Sequence, residues 1–305
     1  AHDAGALLVI DEAHGSHLHF HPNLPPSATQ RGADLVVQST HKTEGALTQA
    51  SMLHRCGSRA DRSRVAQSLA VLQSSSPSSI LLASLDAARM QMATEGQRLM
   101  TRVLQLAAHA RESVRTIPGL WCYGDDIVGA HGIYACDPTK LVIRVSDLDL
   151  SGLSVSFRLR REFGQDVEFA DLKHIICSIT IGDTEASVEA LLTALRRISA
   201  DTPPAPASAP QAEVPPPAGL PEMVLTPRAA TFAPSKRISI EQSVGEVCAE
   251  SIIPYPPGIP MLVPGERIAR EHLDYLAYIV GQQMAVVGPE DGSLRTVRVV
   301  TTRAG

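Results

Sequence analysis

The sequence predicts an α/β fold that is followed by two smaller α+β units. Two apolar runs near the N-terminus, residues 6–10 and 32–39, are typical of strands buried on both faces of a parallel sheet. Residues 50–54 are a candidate third strand. Polar residues follow the first two runs directly, and functional sites of open α/β sheets lie beyond the carboxyl ends of their strands. The fold class therefore also indicates where a site should be sought.

Helical elements follow these strands. Residues 61–72 have a helical pattern, which a stretch rich in serine at 74–79 ends. A long helix is predicted from Ile80 to Ser113, because apolar residues recur there at near-helical spacing. These residues are Leu81, Leu85, Met92, Leu99, Val103 and Leu106. Together, residues 1–115 form the first predicted block.

The second predicted block, residues 116–200, is a small α+β unit. Two apolar runs, at 141–145 and 175–180, predict strands. Helices are predicted over 151–163 and 183–198, each beginning next to residues that commonly cap helices. This block is therefore expected to form its own sheet covered by helices.

Two blocks complete the chain. Residues 201–222 are rich in proline and alanine and lack apolar periodicity, which is typical of a semi-extended linker. Residues 223–305 predict a third small domain, with a turn-rich segment at 253–260, a helix at about 267–281 and a strand at 296–300. The linker separates this domain from the preceding blocks.

Composition excludes several classes of protein. The 305 residues carry a net charge of −5, so no strong basic field favours nucleic-acid binding. No apolar run approaches the roughly 18 residues that a membrane span needs, and the first residues do not resemble a signal peptide. The five cysteines are scattered, which argues against a disulfide framework or a cysteine-based zinc site. These features predict a cytoplasmic protein without a membrane segment.

The first motif is the run Asp11-Glu12-Ala13-His14-Gly15, directly after the first strand. It admits three functional interpretations: the acidic box of an ATP-driven helicase, a metal site built from alternating histidines, or a carboxylate that pairs with the ring nitrogen of pyridoxal phosphate. It is also compatible with an ordinary strand-to-loop junction whose histidines are solvated. The histidines concerned are His14, His17, His19 and His21.

The second motif, Ser39-Thr40-His41-Lys42, favours the pyridoxal-phosphate interpretation. A lysine amine can bind the cofactor, and a carboxylate on the neighbouring strand can keep the pyridine nitrogen protonated. The helicase interpretation lacks both a phosphate loop and an arginine-rich motif. The metal interpretation lacks acidic or cysteine partners at a recognisable spacing, so no metal is predicted. His17, His19 and His21 are interpreted as an exposed loop wall.

These motifs closely resemble the Orn/Lys/Arg decarboxylases, pyridoxal-phosphate enzymes of the aspartate-aminotransferase fold type. The resemblance covers residues 7–54, continues through 72–78 and 83–89, and resumes at 182–184 and in the last block. In the last block it comprises the runs Pro254–Pro260 and Val263–Glu266. It therefore spans nearly the whole chain.

The resemblance implies a role for each matching residue. Lys42 would be the Schiff-base lysine, and Asp11 would pair with the pyridinium nitrogen of pyridoxal 5'-phosphate. Ala13 would pack on the ring and His14 would lie close to it. The remaining residues would contact the phosphate, Ser75 or Ser76 doing so across a dimer interface. They are Ser39, His41, Ser75 and Ser76.

The implied activity is α-decarboxylation of arginine, lysine or ornithine by a homodimer or higher oligomer. The family has a long segment before the equivalent of Ala1, so the sequence is expected to be the last part of a longer enzyme. The first block would then be the C-terminal part of a transferase-type large domain. The alternative is an inactive remnant that serves as a binding or regulatory subunit. A further departure is Glu44-Gly45, where an apolar residue is expected.

Overall fold

A computed structural model describes residues 1–130, 132–202, 217, 219–255 and 258–301. The predicted linker, residues 201–222, lies largely outside the described residues, as do Pro256 and Pro257 of the turn-rich segment. The fold is mixed α/β, as predicted.

A three-stranded sheet carries both N-terminal motifs. Its strands are β1 (Val9–Asp11), β2 (Leu35–Gln38) and β3 (Met52–Arg55). β1 and β2 are parallel, with Asp11 opposite Val37, and β3 is antiparallel to β2. Because β1 and β2 are parallel, their carboxyl ends lie at the same edge of the sheet. The three predicted strands and the parallel pairing of the first two are confirmed.

The prediction that these strands are buried on both faces is wrong. Val36 is fully buried, but Val9 and Val37 are exposed. β1 lies at the edge of the three-stranded sheet that these residues form. In this structure β2 buries one face, whereas β1 contains no fully buried residue.

Two helices follow this sheet. They are α2 (Arg62–Leu72) and α3 (Ser79–Arg115), preceded in the chain by the four-residue helix α1 (Thr40–Thr43). Four members of the predicted α3 stripe are buried: Met92, Leu99, Val103 and Leu106. Gly96 of α3 allows the loop after β1 to approach, since a Cβ there would lie 3.0 Å from Cβ of Phe20. The long helix therefore supports the loop that bears the first motif.

A second sheet has the strand order β4-β5-β7-β6. Its strands are β4 (Trp121–Cys122), β5 (Lys140–Arg144), β6 (Phe169–Ala170) and β7 (His174–Ser178). The helices of this region are α4 (Gly152–Phe163) and α5 (Glu185–Asp201). Ser151 caps α4 by accepting a hydrogen bond from the Ser154 N–H. The predicted strands and helices of the second block are thus confirmed, with shifted ends.

The C-terminal part contains two pairs of antiparallel strands and two helices. The strand pairs are β8 (Ser235–Ser239) with β11 (Thr296–Val300), and β9 (Ile253–Tyr255) with β10 (Ala285–Val287). The helices are α6 (Pro227–Phe232) and α7 (Arg270–Gly281). An apolar core that includes Ile252, Leu262, Ile279 and Val299 joins α7 to the strands, and Ala230 of α6 packs in a separate cluster with Val247 and Val300. The predicted helix and final strand of this region are confirmed.

The chain divides into two compact units. One consists of residues 1–143 and 176–200, and the other of residues 144–175 and 201–305. This division is coarser than the four predicted blocks, whose boundaries stay a prediction. Within the described residues, no helix combines the length and apolar character needed to cross a membrane.

Candidate active site

Lys42 lies on α1, the short helix directly after β2. Its Nζ is 3.0 Å from Nε2 of His14, which lies on the loop after β1. The Ser39 N–H donates to the Ala13 carbonyl, and this bond joins the carboxyl ends of the two strands. The structure therefore brings together the lysine of one predicted motif and the histidine of the other.

Asp11 is the last residue of β1 and is exposed. Its Oδ1 accepts a hydrogen bond of 3.0 Å from the Ala13 N–H. This bond holds the carboxylate against the start of the loop, at the edge of the sheet where Lys42 also lies. An exposed carboxylate of fixed orientation can pair with a cationic ligand group.

The neighbouring carboxylate, Glu12, has a structural role in this loop. It accepts hydrogen bonds from the Ser27 hydroxyl, the Ala28 N–H and the Gln38 amide. Its aliphatic part lies against Gly15, where an added Cβ would be 2.4 Å from Glu12 Cγ. The motif Asp-Glu-Ala-His-Gly thus contains one accessible carboxylate, Asp11, and one whose hydrogen bonds stabilise the loop, Glu12.

Ser39 and His41 lie beside Lys42 but differ in their contacts. The Lys42 N–H donates to the Ser39 carbonyl, which begins the turn of α1. His41 Nδ1 is 2.7 Å from the Ala50 carbonyl oxygen, so Nδ1 carries a proton and donates it. The other ring nitrogen, Nε2, donates to an anion only when the imidazole is also protonated there. The His41 ring orientation is therefore set by the segment before β3.

Ser75 and Ser76 are not joined to the Lys42–His14 pair by any hydrogen bond of the described residues. Both lie in the exposed connection between α2 and α3, where the Ser76 N–H donates to the Ser74 hydroxyl. Their predicted role in phosphate binding required a second subunit, and it stays a prediction.

His17 corrects the interpretation of the histidine-rich loop as an exposed wall. Its side chain is buried, and its Nε2 donates to Asp137 Oδ2 at 3.0 Å. Burial acts to raise the pKa of Asp137, but the hydrogen bond from His17 acts against it and the net shift is downward. His19 is exposed, whereas His21 is 3.2 Å from the Thr101 hydroxyl. His17 is thus a structural residue that links the loop to the strand region before β5.

A second buried polar contact lies directly after Lys42. The Ser16 and Thr43 hydroxyls are 2.7 Å apart, and Glu44 is buried beside them. Burial raises the pKa of the Glu44 carboxyl, while the Ser16 hydroxyl and the nearby His17 ring act to lower it. Glu44 therefore occupies the buried position for which an apolar residue was expected.

Sequence reasoning missed Lys140, the first residue of β5. Its Nζ is 3.3 Å from His14 Nδ1 and donates to the Ser178 hydroxyl at 2.6 Å. The buried Arg111 of α3 donates to the carbonyls of Pro138 and Lys140, and so fixes the start of β5. The composition could have drawn attention to Lys140, because the whole chain has only four lysines against 23 arginines. A lysine is therefore an uncommon choice of cation in this sequence.

Comparison with solved structures shows the fold. The constitutive lysine decarboxylase of Escherichia coli aligns with 96% of this chain at a TM-score of 0.75 and 24% identity, over 54% of its own length. Alanine–glyoxylate aminotransferase from Nostoc aligns with 65% of the chain at a TM-score of 0.51 and 19% identity. The fold is therefore that of the decarboxylase structures, and about two-thirds of the chain shares its fold with an aminotransferase.

Sequence comparison then identifies the family. Residues 1–187 match the major domain of the Orn/Lys/Arg decarboxylases, and residues 213–286 match their C-terminal domain. The chain belongs to this family. The arginine decarboxylases of Bacillus subtilis and Halalkalibacterium halodurans are each 40% identical over 98% of this chain. The chain spans 61% of the length of each of these two relatives.

Proposed function

We propose that this chain supplies the catalytic lysine of a pyridoxal-phosphate-dependent α-decarboxylase of basic amino acids. The contact between Lys42 Nζ and His14 Nε2, at 3.0 Å and at the edge where β1 ends in Asp11, carries the proposal. Arginine is the proposed substrate among arginine, lysine and ornithine, because two relatives named arginine decarboxylase are 40% identical to the chain.

The side chains at this edge have the chemistry that pyridoxal phosphate requires. A primary amine and a carboxylate lie at the ends of adjacent parallel strands, and an imidazole contacts the amine. Lys42 would attach the cofactor, Asp11 would pair with its ring nitrogen, and Ala13 and His14 would lie at the ring. The proposed phosphate contacts are Ser39 and His41, with Ser75 or Ser76 from a second subunit.

Bound pyridoxal phosphate supplies a conjugated ring that accepts the electron pair of the bond to the departing carboxylate. The chain's own residues would pair with the ring nitrogen and hold the proton that the reaction needs. Asp11, held by the Ala13 N–H, would favour a protonated ring nitrogen by charge pairing. Overall, carbon dioxide leaves and one proton replaces it on the α-carbon. Lys42 and His14 lie within hydrogen-bond distance of each other and can hold that proton.

The proposal also covers the oligomeric state, the domain boundaries and the location of the protein. We propose a homodimer, because the Ser75 and Ser76 roles need a second subunit. The boundaries of the four blocks, 1–115, 116–200, 201–222 and 223–305, are part of the same proposal, as is the cytoplasmic location.

Reductive trapping tests the cofactor site directly. The 305-residue chain is incubated with pyridoxal phosphate, reduced with borohydride, digested and examined by mass spectrometry. We expect the cofactor label on Lys42, because its amine contacts His14 beside Asp11. The other lysines, Lys140, Lys173 and Lys236, serve as internal controls. Labelling of Lys42 no greater than that of the exposed Lys236 would contradict the proposal.

Variants separate cofactor binding from catalysis. Lys42→Ala should lose both the visible absorbance of the bound cofactor and the trapped label, whereas Lys236→Ala should keep both. Carbon dioxide release is then measured with arginine, lysine and ornithine. We expect release to be fastest with arginine; cofactor trapping without release from any of the three would instead support the inactive-subunit alternative.

A further inference from the structure

The connection between β7 and α5, residues 179–184, carries part of the family resemblance, but the proposed function gives it no role. The Asp183 carboxylate fixes its shape. One carboxylate oxygen accepts hydrogen bonds from the Thr180 N–H and hydroxyl, and the other accepts one from the Ser187 hydroxyl. This connection, the β7–α5 turn, therefore has a conformation that hydrogen bonds within the turn and with the start of α5 define.

An arginine of the long helix α3 holds the β7–α5 turn from outside. Nη2 of Arg102 donates to the carbonyl oxygens of Ile181 and Asp183, at 2.6 Å and 3.0 Å. Hydrogen bonds from a charged donor are stronger than those between neutral groups, and the planar guanidinium loses little freedom when it forms them. The backbone of the turn is thus fixed to α3 on both sides of Gly182.

The Ile181 side chain links the turn to the segment that follows Lys42. A Cβ added at Gly45 would lie 3.7 Å from Ile181 Cδ1, which is an ordinary van der Waals distance. Gly45 has a φ of +80°, a left-handed conformation that glycine adopts without strain. Ile181 therefore lies next to the point, three residues after Lys42, at which the chain turns.

The segment after α1 also contacts α3 directly. The Leu47 N–H donates to the Ser84 hydroxyl, and Ala46 forms an apolar cluster with Ala88. The helix α3 therefore holds this segment in two ways: by its own side chains at residues 46 and 47, and through the β7–α5 turn at Gly45. The second contact is the nearer of the two to Lys42 along the chain.

We infer that Arg102 is a positioning residue: by holding the β7–α5 turn it keeps Ile181 against Gly45, and so fixes the end of α1, the helix that carries Lys42. Its hydrogen bonds are made with the turn, so its effect on Lys42 is indirect. The value of this arrangement for catalysis rests on the proposed function, but the order that it gives to the segment after Lys42 does not.

Amide hydrogen exchange measures that order without cofactor. The 305-residue chain is transferred to heavy water, and peptides that cover residues 40–50 are followed by mass spectrometry. The N–H groups of Glu44, Leu47 and Ala50 are hydrogen-bonded, so their exchange requires local opening. Arg102→Met removes both bonds to the turn and should speed this exchange about fivefold, the change in an opening equilibrium that the loss of one typical hydrogen bond causes.

Two further variants show whether the charged hydrogen bonds are responsible. Arg98→Met is the matched control, because Arg98 lies about one turn earlier on α3 and pairs with the exposed Glu95; it should leave exchange at residues 40–50 unchanged. Arg102→Lys keeps a charged donor and should restore most of the slow exchange. Exchange as fast in Arg102→Lys as in Arg102→Met would contradict the role of these bonds.

A double-mutant cycle tests the route through Ile181. Ile181→Val removes Cδ1, the atom that lies next to Gly45, and keeps the carbonyl that Arg102 holds. If Arg102 acts through Ile181, Arg102→Met should have little further effect on exchange at residues 40–50 in the Ile181→Val chain. An effect of the same size in both backgrounds would overturn the positioning role, because Arg102 would then act on the segment independently of Ile181.

The outcomes separate this inference from the proposed function. Unchanged exchange at residues 40–50 in Arg102→Met would also overturn the positioning role. Failure of Lys42 to trap pyridoxal phosphate in the unmodified chain would overturn the proposed function instead. Because exchange is measured without cofactor, neither result determines the other.

Discussion

Glu44 shows how one buried side chain affects the region around Lys42. Its carboxyl is buried next to Ser16, and burial raises its pKa above the ordinary value. A group whose pKa is raised on folding stabilises the fold at low pH. This contribution is lost as the pH rises through the pKa of the folded state, because the carboxylate must then be buried with its charge.

We therefore expect Glu44→Gln to become more stable relative to the unmodified chain as the pH rises. The free energy of unfolding is measured in urea between about pH 5 and pH 8. The single tryptophan, Trp121, lies in the same compact unit and reports the transition by fluorescence. The control is Glu185→Gln, at the exposed start of α5. A stability difference for Glu44→Gln that does not change with pH would contradict the expectation.

At the scale of elements, the loop between β1 and β2 depends on the fit of Glu12 over Gly15. An added Cβ on Gly15 would be 2.4 Å from Glu12 Cγ and 3.0 Å from Leu18 Cδ1. Glu12 would have to move, and its hydrogen bonds to Ser27, Ala28 and Gln38 would be strained. These bonds hold the loop on which His14 faces Lys42.

Gly15→Ala should therefore lower stability by about 1–3 kcal/mol, the range for overpacking a filled site. It should also weaken cofactor retention, measured by equilibrium dialysis of pyridoxal phosphate. Gly182→Ala is the matched control, because a Cβ there would meet only Thr180 Oγ1 at 3.7 Å. Equal effects of the two substitutions on stability and on cofactor retention would contradict this expectation. They would show that displacement of Glu12 by a Cβ at residue 15 does not disturb the loop that carries His14.

How much the sequence predicts also depends on scale. The positions of Asp11 and Lys42 at the ends of parallel strands follow from local apolar runs, and the structure confirms the strands that carry them. Lys140 lies 98 positions after Lys42, and its approach to His14 depends on how β5 packs in the fold. No local pattern encodes that packing. His17 was misread for the same reason, since its burial depends on Asp137.

At the scale of the whole molecule, exposed apolar residues precede and follow Ser75 and Ser76 in the chain. On α2 and the start of α3, Val71, Leu72 and Ile80 are each more than two-thirds exposed. Large exposed apolar surfaces commonly mark protein interfaces. We expect a second copy of the chain to cover them, which agrees with the proposed dimer and would bring a serine from one subunit towards the other.

The dimer and the serine role can be tested together by a double-mutant cycle. Leu72→Glu with Ile80→Glu should shift the chain towards monomer in sedimentation, while Phe232→Glu, on exposed α6, should not. In the unmodified chain, Ser75→Ala should weaken pyridoxal phosphate binding by about 1 kcal/mol, roughly fivefold, the usual loss for one hydrogen bond. In the monomeric variant the same substitution should have no effect, because its phosphate partner would belong to the other subunit. A Ser75→Ala effect of equal size in monomer and dimer would place that contact within one chain and remove the need for a second subunit at the site.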